Sequence, residues 1–80
     1  MSTGAQLETE AEHEFARFLA SQPLPAEIIV FHPSVHVTER MYELVEADRD
    51  GTLREVERQE LETYLNIEHL MRLVKAEAHR

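Results

Sequence analysis

The sequence contains no cysteine. No disulfide can brace the fold, and no thiol is available for nucleophilic, redox or metal chemistry. Long hydrophobic runs are missing too. The longest is Ile28-Ile29-Val30-Phe31, far too short to span a bilayer. The opening residues, MSTGAQLETE, have neither a basic region nor an apolar stretch that would direct export, so the expected location is cytoplasmic. There is no glycine-rich phosphate loop, no nucleophile elbow and no cysteine–histidine pair.

Positive charge is scarce. Eight Lys and Arg stand against sixteen Asp and Glu, a net charge of −8. Such a chain is repelled by nucleic-acid backbones and by acidic membrane surfaces. It is attracted to a basic protein, and the same charge keeps it soluble. The 42 % hydrophobic and 30 % charged content is that of a globular chain. Eighty residues make one domain with a small core, burying about 60–65 % of the unfolded surface. They leave little room for the concave pocket that acid–base catalysis needs, so the expectation is that the protein is not an enzyme.

The apolar residues that are present recur with helical spacing. Residues 1–6 are small and polar and are expected to be flexible, followed by a single helical domain over 7–80. From Gln6 to Ser21, Leu7, Ala11, Phe15, Phe18 and Leu19 form one stripe, with acids early, where the helix dipole favours them. Pro23 and Pro25 end that helix. Pro25 to Phe31 reads as one or two helical turns; its β-branched run also permits a strand, but no second strand exists to pair with it. All four apolar residues of 28–31 are expected to be buried as a plug between longer helices. Ser34 is a good N-cap for a helix carrying Val37, Met41, Leu44 and Val45 to about Asp48. A last helix runs from about Glu55 into the late 70s, uninterrupted by glycine or proline, about 36 Å for 24 residues.

Between the last two helices lies EADRDGTLREVE, residues 46–57. Set against a calcium loop of the EF-hand type, Asp48, Asp50, Gly51 and Glu57 occupy positions 3, 5, 6 and 12, with Glu46 first and Thr52 seventh. A glutamate at the first position, arginines at 49 and 54, and the lack of a second loop weigh against the ion. The preferred reading is the turn of an αα-hairpin. Gly51 closes the first helix in a left-handed conformation, Leu53 packs inward, and Glu55 and Glu57 open the next helix. No cofactor is expected. The calcium alternative, through Glu46, Asp48, Asp50, Thr52 and Glu57, stays open at this point. His32 and His36 are four apart, a spacing that suits zinc on a helix, but Pro33 and Ser34 put a helix start between them, so they read as ordinary polar residues.

The last helix carries seven large apolar side chains within residues 64–74, including Tyr64, Ile67, Leu70, Met71, Leu73 and Val74. One inward stripe takes about half of them, and Leu65 and Leu73 fall on a different side from Ile67, Met71 and Val74. Two short helices cannot cover a rod that is apolar nearly all round. Tyr64, Ile67, Leu70, Met71, Leu73 and Val74 are therefore the expected contact residues for another protein.

The segment ERMYELVEADRDGTLREVERQELETYLNIEHLMRLVKA resembles small bacterial all-helical proteins. They share Gly-Thr-Leu followed by an acidic helix with a leucine-rich end, here Gly51, Thr52, Leu53, Glu55, Glu57, Glu60, Leu61, Leu65, His69, Leu70, Leu73 and Lys75. With FARFLASQPLPAEIIVFHPS the resemblance covers about residues 14–76. It implies a chain encoded beside a nuclease-type partner, HNH or PIN-like, and an antitoxin-like or accessory role. It carries no catalytic residue. Members often have Ser or Thr where this chain has Arg54, so the last helix is expected to have a weaker cap. The expectation is thus an all-α protein, a helical hairpin with an N-terminal helix packed on it, that binds a basic protein. The alternatives are a second copy of itself as partner, or a single calcium site.

Overall fold

A computed structural model describes residues 9–80. The tail expected over residues 1–6, and Leu7 of the first stripe, lie outside them. Among the described residues every regular element is an α-helix: α1, Glu10–Ala20; α2, Pro25–Val30; α3, Val35–Asp50; and α4, Glu55–Ala78.

Each helix starts where its sequence supplies an oxygen for the first free amides. Thr9 opens α1 with a reciprocal box. Its Oγ1 accepts from the Glu12 amide at 3.1 Å, and its own N–H donates to Glu12 Oε1 at 2.8 Å. The helix therefore begins at Glu10, four residues later than the stripe alone suggests. Proline occupies the first position of α2, and the Leu24 amide donates to Glu27 Oε1 at 2.8 Å. Ser34 caps α3 through a 3.2 Å bond from the Val37 amide. At α4, Arg54 offers no accepting side chain, and only the returning half of a box remains, the Arg54 amide to Glu57 Oε1 at 3.0 Å.

The turn between α3 and α4 is a Schellman motif. Thr52 N–H donates to Ala47 C=O at 2.9 Å and Gly51 N–H to Asp48 C=O at 3.2 Å, with Gly51 at φ +75°. A left-handed residue also follows α1, but there it is Gln22, at φ 56°.

α4 is the spine, and α1, α2 and α3 all pack on it. The core is Ala11 from α1, Val37 and Leu44 from α3, and Leu61 and Tyr64 from α4, with Met41, Val45 and Leu53 against its edge. Leu44 is the most enclosed, at 1 % exposure. Phe15 is also buried, and Phe18 stacks on Phe31 with ring centroids 4.1 Å apart. That stack ties the end of α1 to the residue after α2. The N-terminus of α3 is tied to α1 by the Ser34 amide, which donates to Glu14 Oε1 at 3.0 Å.

The plug is only partly one. Ile28, Ile29 and Phe31 are half-buried, but Val30 is 71 % exposed. In a six-residue helix one side must face water, so four consecutive apolar residues cannot all turn inward. Among the described residues no helix is long and apolar enough to cross a membrane.

Candidate functional site

α4 divides its apolar residues between two sides. Leu61 and Tyr64 are buried, and Ile67, Met71, Val74 and Ala78 continue the same side half-buried. They recur at steps of three and four, one stripe turned toward the other helices. Leu65, Leu70 and Leu73 lie outside it, 45 %, 46 % and 51 % exposed. Leu70 and Leu73 are three residues apart and so about 60° apart around the axis, next to one another on the surface. Leu65 lies about 80° from Leu73, two turns earlier.

This splits the expected contact set. Tyr64 is at 4 % exposure inside the chain's own core, so it is not available to another protein. Ile67, Met71 and Val74 are half covered by the chain itself. Leu70 and Leu73 face solvent, and Leu65 joins them. The helical repeat separates residues 65, 70 and 73 from 64, 67, 71 and 74, so the two stripes are present in the sequence; which one the shorter helices would cover is not.

Charge beside the leucines is acidic on balance. Two cations of α4 are engaged, Arg58 with Asp48 at 3.3 Å and Arg72 with Glu68 at 3.3 Å, and just beyond the helix Arg80 pairs with Glu77 at 3.4 Å. Glu62 lies on the leucine side, exposed, and makes no ion pair among the described residues. An apolar strip rimmed by uncompensated carboxylate favours a cationic neighbour.

The inner polar contacts of α4 join the helices. Arg40 of α3 forks onto Glu60 of α4, Nε to Oε2 at 2.9 Å and Nη2 to Oε1 at 2.8 Å, and its Nη1 reaches Glu43 Oε1 at 3.1 Å. The fork holds the Glu60 carboxyl below its ordinary range and raises Arg40 further above its own. Glu57 is also lowered, first because it accepts the Arg54 amide. Burial pushes the Tyr64 hydroxyl up to about 12, and the neighbouring Glu60 charge adds to the effect.

Residues 46–57 form the capped turn rather than an ion cage. Glu46, Asp48 and Asp50 lie within α3, where the helical repeat spreads their side chains around the axis. Glu46 pairs with Arg49 at 2.8 Å and Asp48 with Arg58 at 3.3 Å. Thr52 Oγ1 donates to Ala47 C=O, and Glu57 caps α4. Among the described residues no three Asp, Glu, His or Cys side chains come together in a group that could hold a metal ion. The ligand spacing exists, but the helix runs two residues beyond its expected end and prevents convergence. His32 lies in the α2–α3 connection with Nδ1 3.1 Å from Pro33 C=O, and His36 lies in the first turn of α3.

Comparison with protein-family models, curated proteins and solved structures finds no match to this chain.

Proposed function

We propose that the chain is a non-enzymatic protein-binding module. It docks through Leu65, Leu70 and Leu73 on the outer side of α4 against a basic, amphipathic segment of another protein. The observation that carries this reading is the exposure of Leu70 and Leu73 as neighbours on a helix whose opposite side is already used by the fold. Covering the remaining half of two leucines is worth about 2 kcal/mol in all. That is enough to anchor a contact but not to hold one alone, so charge contributes the encounter and the choice of partner.

The net charge of −8 selects the occupant. A second copy would bring the same excess of carboxylates to the interface, whereas a cationic partner gains from them. The resemblance to proteins encoded beside nucleases supports a nuclease-type protein as that basic partner, with this chain in an antitoxin-like or accessory role. Binding rather than catalysis fits the ionisable groups between the helices, where Arg40, Glu57 and Glu60 engage one another.

The test uses a synthetic amphipathic helix with leucines at every third and fourth position and lysines elsewhere. The expected result is salt-sensitive binding by the 80-residue chain. It falls about tenfold or more in Leu70→Asp/Leu73→Asp, while the circular dichroism of the variant is unchanged. Equal binding by wild type and variant overturns the proposal. A concentration-dependent dimer in sedimentation that the same substitutions dissolve assigns the strip to a second copy instead.

A further inference from the structure

On the opposite side of α4 from the exposed leucines is a groove of about 370 Å³. Its walls are Val37 and Met41 of α3, Ile67 and Met71 of α4, and Phe31 in the connection after α2. His32, Glu68, Arg72 and Lys75 stand around it, with Glu68 and Arg72 paired to each other at 3.3 Å. The size is at the lower end for small-molecule sites.

Two features select an occupant. Lys75 is half-buried, and its ammonium makes no ion pair among the described residues. In a chain with twice as many acids as bases, six of the eight Lys and Arg side chains are paired with carboxylates; among the described residues Lys75 and Arg17 are not, and of these two only Lys75 lines the groove. A lysine whose stem lies along an apolar floor and whose ammonium has no carboxylate partner favours an anion with an apolar body. The second feature is the lining itself. The helical walls have already used their amides and carbonyls, so an extended peptide laid there would leave its own backbone unpaired. A whole helix, about 10 Å across, could insert only a side chain or two. An aliphatic chain carries no group that needs a partner, and Met41 and Met71 are unbranched and adapt their shape to it.

We infer that the groove binds an aliphatic carboxylate of medium chain length, the alkyl chain lying along Met41, Ile67 and Met71 with the carboxylate on Lys75. The site is separate from the leucine strip and does not depend on its role.

Titration of the full chain with decanoate, below its micelle concentration, reads the site through the ε-methyl resonances of Met41 and Met71. Both shift together and saturate. Lys75→Glu weakens binding about tenfold, Lys75→Met weakens it less, and Leu70→Asp leaves it unchanged. Decyltrimethylammonium, with the same chain and the opposite charge, binds about tenfold more weakly. The inference is overturned if the cationic amphiphile binds as well, if Lys75→Glu and Lys75→Met bind decanoate like the wild type, or if the shifts appear at Leu65, Leu70 and Leu73 instead. A peptide with a C-terminal leucine that moves the same methyls at lower concentration than decanoate also overturns it.

Discussion

Removing the Arg40–Glu60 fork tests how the hairpin is held together. Two bonds of 2.8 and 2.9 Å join α3 to α4, with 34 % of the Arg40 side chain and 21 % of Glu60 exposed. At an effective dielectric of about 20 the attraction at 4 Å is about 4 kcal/mol before desolvation. Fully exposed pairs retain about 0.2–1 kcal/mol, and hydrogen bonds to charged groups about 1.5–3 kcal/mol. A fork between these limits gives a coupling of about 1–2 kcal/mol. A chain of this length has a total stability of about 4–12 kcal/mol, so the fork is a substantial part of it. The assay is urea unfolding of wild type, Arg40→Leu, Glu60→Gln and the double variant. The cycle separates this contact from those of Arg40 with Glu43 and Glu57. The pH dependence has a definite sign. The folded Glu60 carboxyl titrates below its unfolded value of about 4.3, so the fork contributes in full above about pH 5. Its contribution is lost as the pH falls through the depressed folded value, and Glu60→Gln removes that part of the acid limb. A coupling below about 0.3 kcal/mol, or an acid limb unchanged in Glu60→Gln, refutes the assignment.

Two further substitutions probe the core and the turn. Leu44→Ala removes the most enclosed side chain and is expected to cost about 3–5 kcal/mol, read as a lower midpoint in urea unfolding followed by circular dichroism. Gly51→Ala meets no atom within 4 Å of the added Cβ, so its cost is the left-handed backbone alone, about 1 kcal/mol. Calorimetry should show a melting temperature about 4–8 °C lower.

How much of this protein is written in its sequence can be followed residue by residue. Thr9 with Glu12, Ser34, and Gly51 with Thr52 each settle a helix boundary through atoms at most five residues away. Pro25 opens α2, and the unbroken stretch after Arg54 runs as one helix of 24 residues. Local hydrogen bonds and backbone sterics act over the same short range as the motifs, so element type and order were legible. The calcium spacing in 46–57 was legible in the same way, yet among the described residues these carboxylates do not come together. Linear spacing says nothing of whether the backbone curls, and α3 continues as a helix through Asp50.

What the sequence could not determine is which side of each amphipathic element finds a neighbour. Tyr64 and Leu65 are adjacent and both large, yet one is 4 % and the other 45 % exposed. Val30 belongs to an unbroken apolar run and still faces water. Arg40 and Glu60 are twenty residues apart and carry no mark of being partners. Periodicity determines the angles between side chains on one helix. The rotation of that helix against its neighbours is decided only when α1, α2 and α3 compete for one spine, because burial is shared among all of them and belongs to none alone.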